Sequence, residues 1–91
     1  MLVENNKEEI KFLKSLGFKK EWFDDKSAFW FVYEFESKLL GRCQINVEDF
    51  QGNAIIVVDT YDKADCTNMW VTAINVKYSR KKLIKILGFL L

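Results

Sequence analysis

Apolar positions along this chain recur first at helical spacing, then at every second residue, then at helical spacing again. Ile10, Leu13 and Leu16, flanked by Phe12, fall on one side of a helical wheel. Asn6 precedes them as an N-cap, with Glu9 three residues on as in a capping box. Glu8 and Glu9 also suit the positive end of a helix dipole. Gly17 offers the left-handed residue that closes a helix, and Phe18 can fold back on Leu13. The spacing predicts a helix over 6–16.

From residue 18 the period becomes two. A short segment, Phe18–Phe23, leads to a turn at Asp24-Asp25-Lys26-Ser27. Ala28–Glu36 alternates, with Phe29, Phe31, Tyr33 and Phe35 on one face and Trp30, Val32, Glu34 and Glu36 on the other. Leu39–Glu48 sets Gly41, Cys43, Ile45 and Val47 against Arg42, Gln44, Asn46 and Glu48. Matching the two apolar faces predicts a hairpin turning at Ser37-Lys38-Leu39, with Tyr33 opposite Cys43, Phe31 opposite Ile45 and Glu34 opposite Arg42. The polar face of this pair is expected to be solvated.

Gln51-Gly52-Asn53 reads as a turn. Asn53–Asp59 is apolar on both sides through Ile55, Ile56, Val57 and Val58, so a central strand covered on both faces is expected. Thr60–Asn68 reads as a polar loop. Met69–Lys77 is a further strand with Trp70, Thr72, Ile74 and Val76 on one side. A second helix starts at Ser79 and is expected to close at Leu87-Gly88-Phe89, repeating Leu16-Gly17-Phe18, with Phe89 returning to Ile84. Short connections pair neighbouring strands in order. The expected class is α+β, one domain over 1–91: an N-terminal helix, an antiparallel meander of four to five strands, and a C-terminal helix, both helices on one sheet face.

Composition supports a core: 49% of residues are hydrophobic and 15% aromatic, with no proline. The net charge of +1 hides an uneven distribution. Residues 21–65 hold ten acids against four bases, whereas residues 66–91 hold five bases and no acid. Lysine outnumbers arginine twelve to two, a bias in keeping with an AT-rich bacterial or phage genome. Two cysteines make no disulfide framework, residues 1–16 lack the apolar run of a secretory leader, and no stretch spans a bilayer. A cytoplasmic protein with no membrane partner is expected.

Histidine is absent, which removes the commonest general base and metal ligand. Cys43, on an apolar strand face, reads as a buried thiol, and Cys66 stands among acids that would keep its thiol protonated. No glycine-rich phosphate loop, nucleophile elbow or paired-cysteine motif occurs. Glu34 and Glu36 share a face but read as surface charges. Asp59, Asp62 and Asp65 recur at three-residue spacing and are weak candidates for a hard cation, without the spacing of a calcium loop. No cofactor is expected.

Phe29-Trp30-Phe31-Val32-Tyr33 reads as core rather than a base-stacking platform, because Asp24, Asp25, Glu34 and Glu36 would repel phosphate. Trp30 differs, since it falls on the outer face where it suits a protein contact. The second helix carries Arg80, Lys81 and Lys82 in its first turn, against the dipole, with Lys85 beside them. A solvated lysine-rich face is the plainer reading. An anion site is the functional one, and replacing the first three by Ala is then expected to preserve or raise stability. The expected function is stoichiometric protein binding without catalysis, of the inhibitor or immunity type. Trp30, Arg80, Lys81, Lys82 and Lys85 are the candidate contacts, the partner presents an acidic surface, and the protein is a monomer or homodimer. The alternative is a nucleic-acid-binding accessory module using the same basic helix.

Overall fold

Asn6 caps the first helix from its side chain, which accepts the Glu9 amide at 3.2 Å, and helix α1 runs Lys7–Ser15. Its end follows from Gly17. That residue takes φ +99°, its N–H reaches the Lys14 carbonyl at 3.0 Å, and the Phe18 N–H reaches the Leu13 carbonyl at 3.1 Å. This double bond pattern turns the chain back on itself and buries Leu13 and Phe18 together. Gly17→Ala is therefore expected to cost about 1–2 kcal/mol, the penalty of a left-handed L-residue. A thermal melt reads this as a fall of roughly 4–15 °C.

The computed structural model describes residues 6–23, 28–62 and 69–91. Five strands follow α1: β1 Lys19–Trp22, β2 Phe29–Ser37, β3 Gly41–Phe50, β4 Asn53–Asp62 and β5 Met69–Lys77. They form one antiparallel sheet in the order β1-β2-β3-β4-β5. Helix α2, Arg80–Leu90, completes an α+β chain. Leu13 of α1 and Leu83 and Leu90 of α2 pack with Phe31, Ile45, Val47, Ile56 and Val58, so both helices lie on one sheet face. The predicted turn at Asp24–Ser27 lies outside the described residues.

The β2–β3 register differs from the expected one by two residues. Phe31 pairs with Val47, Tyr33 with Ile45, Phe35 with Cys43 and Glu34 with Gln44. A two-residue shift keeps every side chain on its face, so the pattern alone is blind to it. The turn chooses between the two. Ser37 pairs with Gly41 around Lys38-Leu39-Leu40, Gly41 takes φ +75°, and the Ser37 hydroxyl accepts the Leu39 and Leu40 amides at 3.2 and 3.3 Å. Glu34 still reaches Arg42, diagonally, at 3.7 Å.

Four further expectations change. β4 continues through Thr60, Tyr61 and Asp62, which had the polarity of a loop. It stands fourth in the sheet, and among the described residues no element covers Ile55 and Val57 on the outer side. An irregularity beside Val58–Asp59 skips Ala73, so Trp70 and Thr72 face outward while Ile74 and Val76 face the helices. Helix α2 does not close at Leu87-Gly88-Phe89; Gly88 is helical, and Phe89 is exposed. The reason lies in Leu90, which is 1% exposed, so one more turn of helix delivers a large side chain to the core.

Candidate functional site

The outer face of the sheet is less solvated than its polarity implies. Asp59 sits at its centre and its carboxylate accepts three side-chain bonds, from Thr72 Oγ1 at 2.9 Å, Asn46 Nδ2 at 3.2 Å and Gln44 Nε2 at 3.3 Å. Asn46 in turn accepts Trp30 Nε1–H at 3.2 Å and is buried. Antiparallel pairing puts these residues in neighbouring rows, where their polar ends meet above the backbone. Burial raises the Glu48 carboxyl above its usual range, and the charge of Asp59 adds to the rise.

Two aromatic clusters flank this lattice. Trp30 packs on Phe23 with ring centroids 4.8 Å apart. Across the face, Tyr61 and Trp70 meet edge-on at 5.2 Å, and the Arg42 guanidinium lies over both, 4.8 and 5.3 Å from their centroids. The pairing registers place Glu21, Glu34, Glu36, Glu48 and Asp59 on this face against Lys19, Arg42 and Lys77. The surface is aromatic, internally bonded and acidic in balance.

Sequence reasoning located Trp30 here but missed Arg42, Tyr61 and Trp70. Tyr61 was hidden because residues 60–62 look like loop. Trp70 was hidden because strict alternation, continued through Ala73, puts it on the wrong side. The available signal was the alternation of Val57, Asp59 and Tyr61, which extends the strand past its apolar run.

The basic helix start is divided in two. Arg80 is committed: its Nε–H donates to Glu9 Oε1 at 2.7 Å, and its guanidinium stacks 4.6 Å from the Phe12 ring centroid. Tyr78 Oη–H donates to the other Glu9 oxygen at 2.6 Å. Glu9 is 7% exposed, so the trio joins the N-terminal ends of both helices. Burial, together with its bond to Glu9, pushes the Tyr78 phenol well above its ordinary value. An anion approaching Arg80 enters a hollow of about 310 Å³ that Glu8 shares with Lys11, Phe12 and Ser15. Ser79 caps α2 by accepting the Lys82 amide at 3.1 Å. Lys81, Lys82 and Lys85 are exposed.

Cys43 is buried on the helix side, and burial first, then Glu36, raises its thiol, which keeps it protonated. Of the aspartate series, Asp59 is engaged as described, the side chain of Asp62 and all of Asp65 lie outside the described residues, and so does Cys66. Among the described residues no three His, Cys, Asp or Glu side chains group as a metal site. No described helix is long and apolar enough to cross a membrane. Comparison with protein-family models, with curated proteins and with solved structures finds no match.

Proposed function

We propose that this protein acts stoichiometrically, binding another protein through the outer face of its sheet, as a non-enzymatic inhibitor or immunity-type protein would. The observation that carries the reading is Arg42 laid over Tyr61 and Trp70 beside the Asp59 lattice. Arg, Tyr and Trp are the side chains that dominate binding energy at protein interfaces. Here they are already held by one another, so association freezes little additional freedom. With five carboxylates against three cations among the described residues, the face complements a partner that presents lysines and arginines. The acidic partner expected from the helix start loses one of its contacts, since Arg80 is paired with Glu9.

A second reading, nucleic-acid binding, rests on Lys81, Lys82 and Lys85, which are exposed in a segment free of acids. The two readings rank variants oppositely. Once a partner is purified, calorimetry on the intact chain should give one-to-one binding that Trp70→Ala weakens by about thirtyfold or more. Replacing Lys81, Lys82 and Lys85 by Ala should leave that affinity within a few fold. The reverse ranking, with binding to nucleic acid that weakens steeply in salt, overturns the sheet-face reading.

A further inference from the structure

Ser37 ends β2 and is buried, yet its hydroxyl is fully used. It accepts the Leu39 and Leu40 amides and donates to the Leu90 carbonyl at 2.8 Å. A hydroxyl has one hydrogen to give and two lone pairs to receive. Ser37 therefore clamps the β2–β3 turn to the last turn of α2. The clamp gathers four large apolar side chains at one end of the molecule: Leu39 at 60% exposure, Leu40 at 43%, Phe89 at 72% and Leu91 at 54%. Single exposed apolar residues are ordinary, but a group of them marks a contact surface.

The described charged side chains around this tip are lysines, and Asp62 ends β4 at the same end of the sheet. Lys38 stands inside the turn, Lys85 lies one helical turn before Phe89, and Lys81 and Lys82 continue the exposed side of α2. Residues 66–91 contain no acid. The nearest acid along β2, Glu36, faces the other side of the sheet, opposite Arg42.

We infer that this tip is an interfacial membrane-binding site, seated on a lipid surface rich in anionic headgroups. The apolar side chains enter the boundary between headgroups and acyl chains, while the lysines extend along it to the phosphates. A second copy fits worse, because it would bring two lysine-bearing surfaces together, like charge near like. Helix α2 itself does not span, since it has 11 residues where a bilayer needs about 20. The Ser37 clamp gives the surface its shape: it sets the Leu39-Leu40 pair beside Phe89 and Leu91 before any lipid is met. The site shares its end of the sheet with the Arg42–Tyr61–Trp70 cluster, since Arg42 follows Gly41 directly, but it uses none of that cluster's side chains.

Vesicle co-sedimentation of the intact chain tests this directly. Vesicles of phosphatidylcholine mixed with phosphatidylserine should retain the protein about tenfold more than phosphatidylcholine alone, and less as salt rises. The double variant Leu39→Ser, Phe89→Ser should lose that retention at least tenfold, and Lys82→Gln with Lys85→Gln should lose the preference for anionic lipid. All four positions are exposed, so circular dichroism and melting should stay close to the parent. Equal recovery with and without anionic lipid overturns the inference. So does a dimer in sedimentation equilibrium that the Leu39→Ser, Phe89→Ser variant dissolves, which would make a second copy the occupant.

Discussion

Phe31→Ala is expected to lower the unfolding free energy by about 3–5 kcal/mol, the largest single loss in this chain. Phe31 is fully buried, lies mid-sheet between Lys20 and Val47, and meets the Phe29 ring edge-on at 5.7 Å. Ala removes the ring's transfer energy and leaves a void whose walls are a sheet and two helices, with little freedom to collapse. A domain of this size holds roughly 5–14 kcal/mol in total, so the variant forfeits at least about a fifth of its stability. Urea titration should show an earlier midpoint with an unchanged slope. Phe89→Ala removes an equally large ring from an exposed position and should change stability by less than about 0.5 kcal/mol. A loss at Phe31 no larger than at Phe89 would mean that the core is misplaced.

Arg80→Ala should cost about 2–3 kcal/mol at neutral pH, although Arg80 sits where a cation opposes the dipole of α2. The two effects differ in scale. Removing a cation from an exposed helix N-terminus gains a few tenths of a kcal/mol. Removing it here leaves the Glu9 carboxylate, 7% exposed, with Tyr78 as its remaining side-chain partner among the described residues. A buried charge stripped of its counter-charge costs several times that gain. Because the Arg80 side chain is 48% exposed, solvent screening brings the cost to or below the low end of the about 3–5 kcal/mol typical of fully buried pairs. Lys81→Ala and Lys82→Ala carry the small gain without the loss and should leave stability equal or slightly higher. The sign expected from sequence for the triple replacement thus reverses through Arg80. A double-mutant cycle between Glu9 and Arg80 measures the coupling, and a value near zero would remove this account.

How much was legible in the sequence differs by element. Helix α1 was, in its Asn6 cap and its Gly17 end, because both act on neighbours within a turn or so; Glu9, expected to complete a capping box, gives its carboxylate oxygens to Tyr78 and Arg80 instead. The strands were legible as faces, since alternation reports which side of a sheet a residue occupies. Register was not, because a two-residue slip between β2 and β3 preserves those faces and only the Ser37–Gly41 turn distinguishes the alternatives. The end of α2 was misread for a related reason. A glycine between apolar residues resembles a cap, but the burial of Leu90 extends the helix through Gly88.

The candidate surfaces were less legible than the fold. Trp30 could be assigned to the outer face from alternation alone. Arg42, Tyr61 and Trp70 could not be joined, since they come from three strands and their meeting depends on register and on the skipped Ala73. Arg80 looked free because Glu9 stands seventy-one residues earlier in the chain.

By itself, then, the sequence determined the class of this protein: two helices, a run of alternating strands, a buried aromatic face, no histidine, and an acidic middle beside a basic end. Those are local properties, encoded by periods and caps that act within a few residues. Tertiary structure alone decided which polar groups are committed and which stay available. It spends Arg80 on Glu9, gathers Arg42, Tyr61 and Trp70 on one face, and holds Leu39 and Leu40 beside Phe89 through one serine hydroxyl. Each of these joins residues far apart in the chain, and only the closed core brings them within reach.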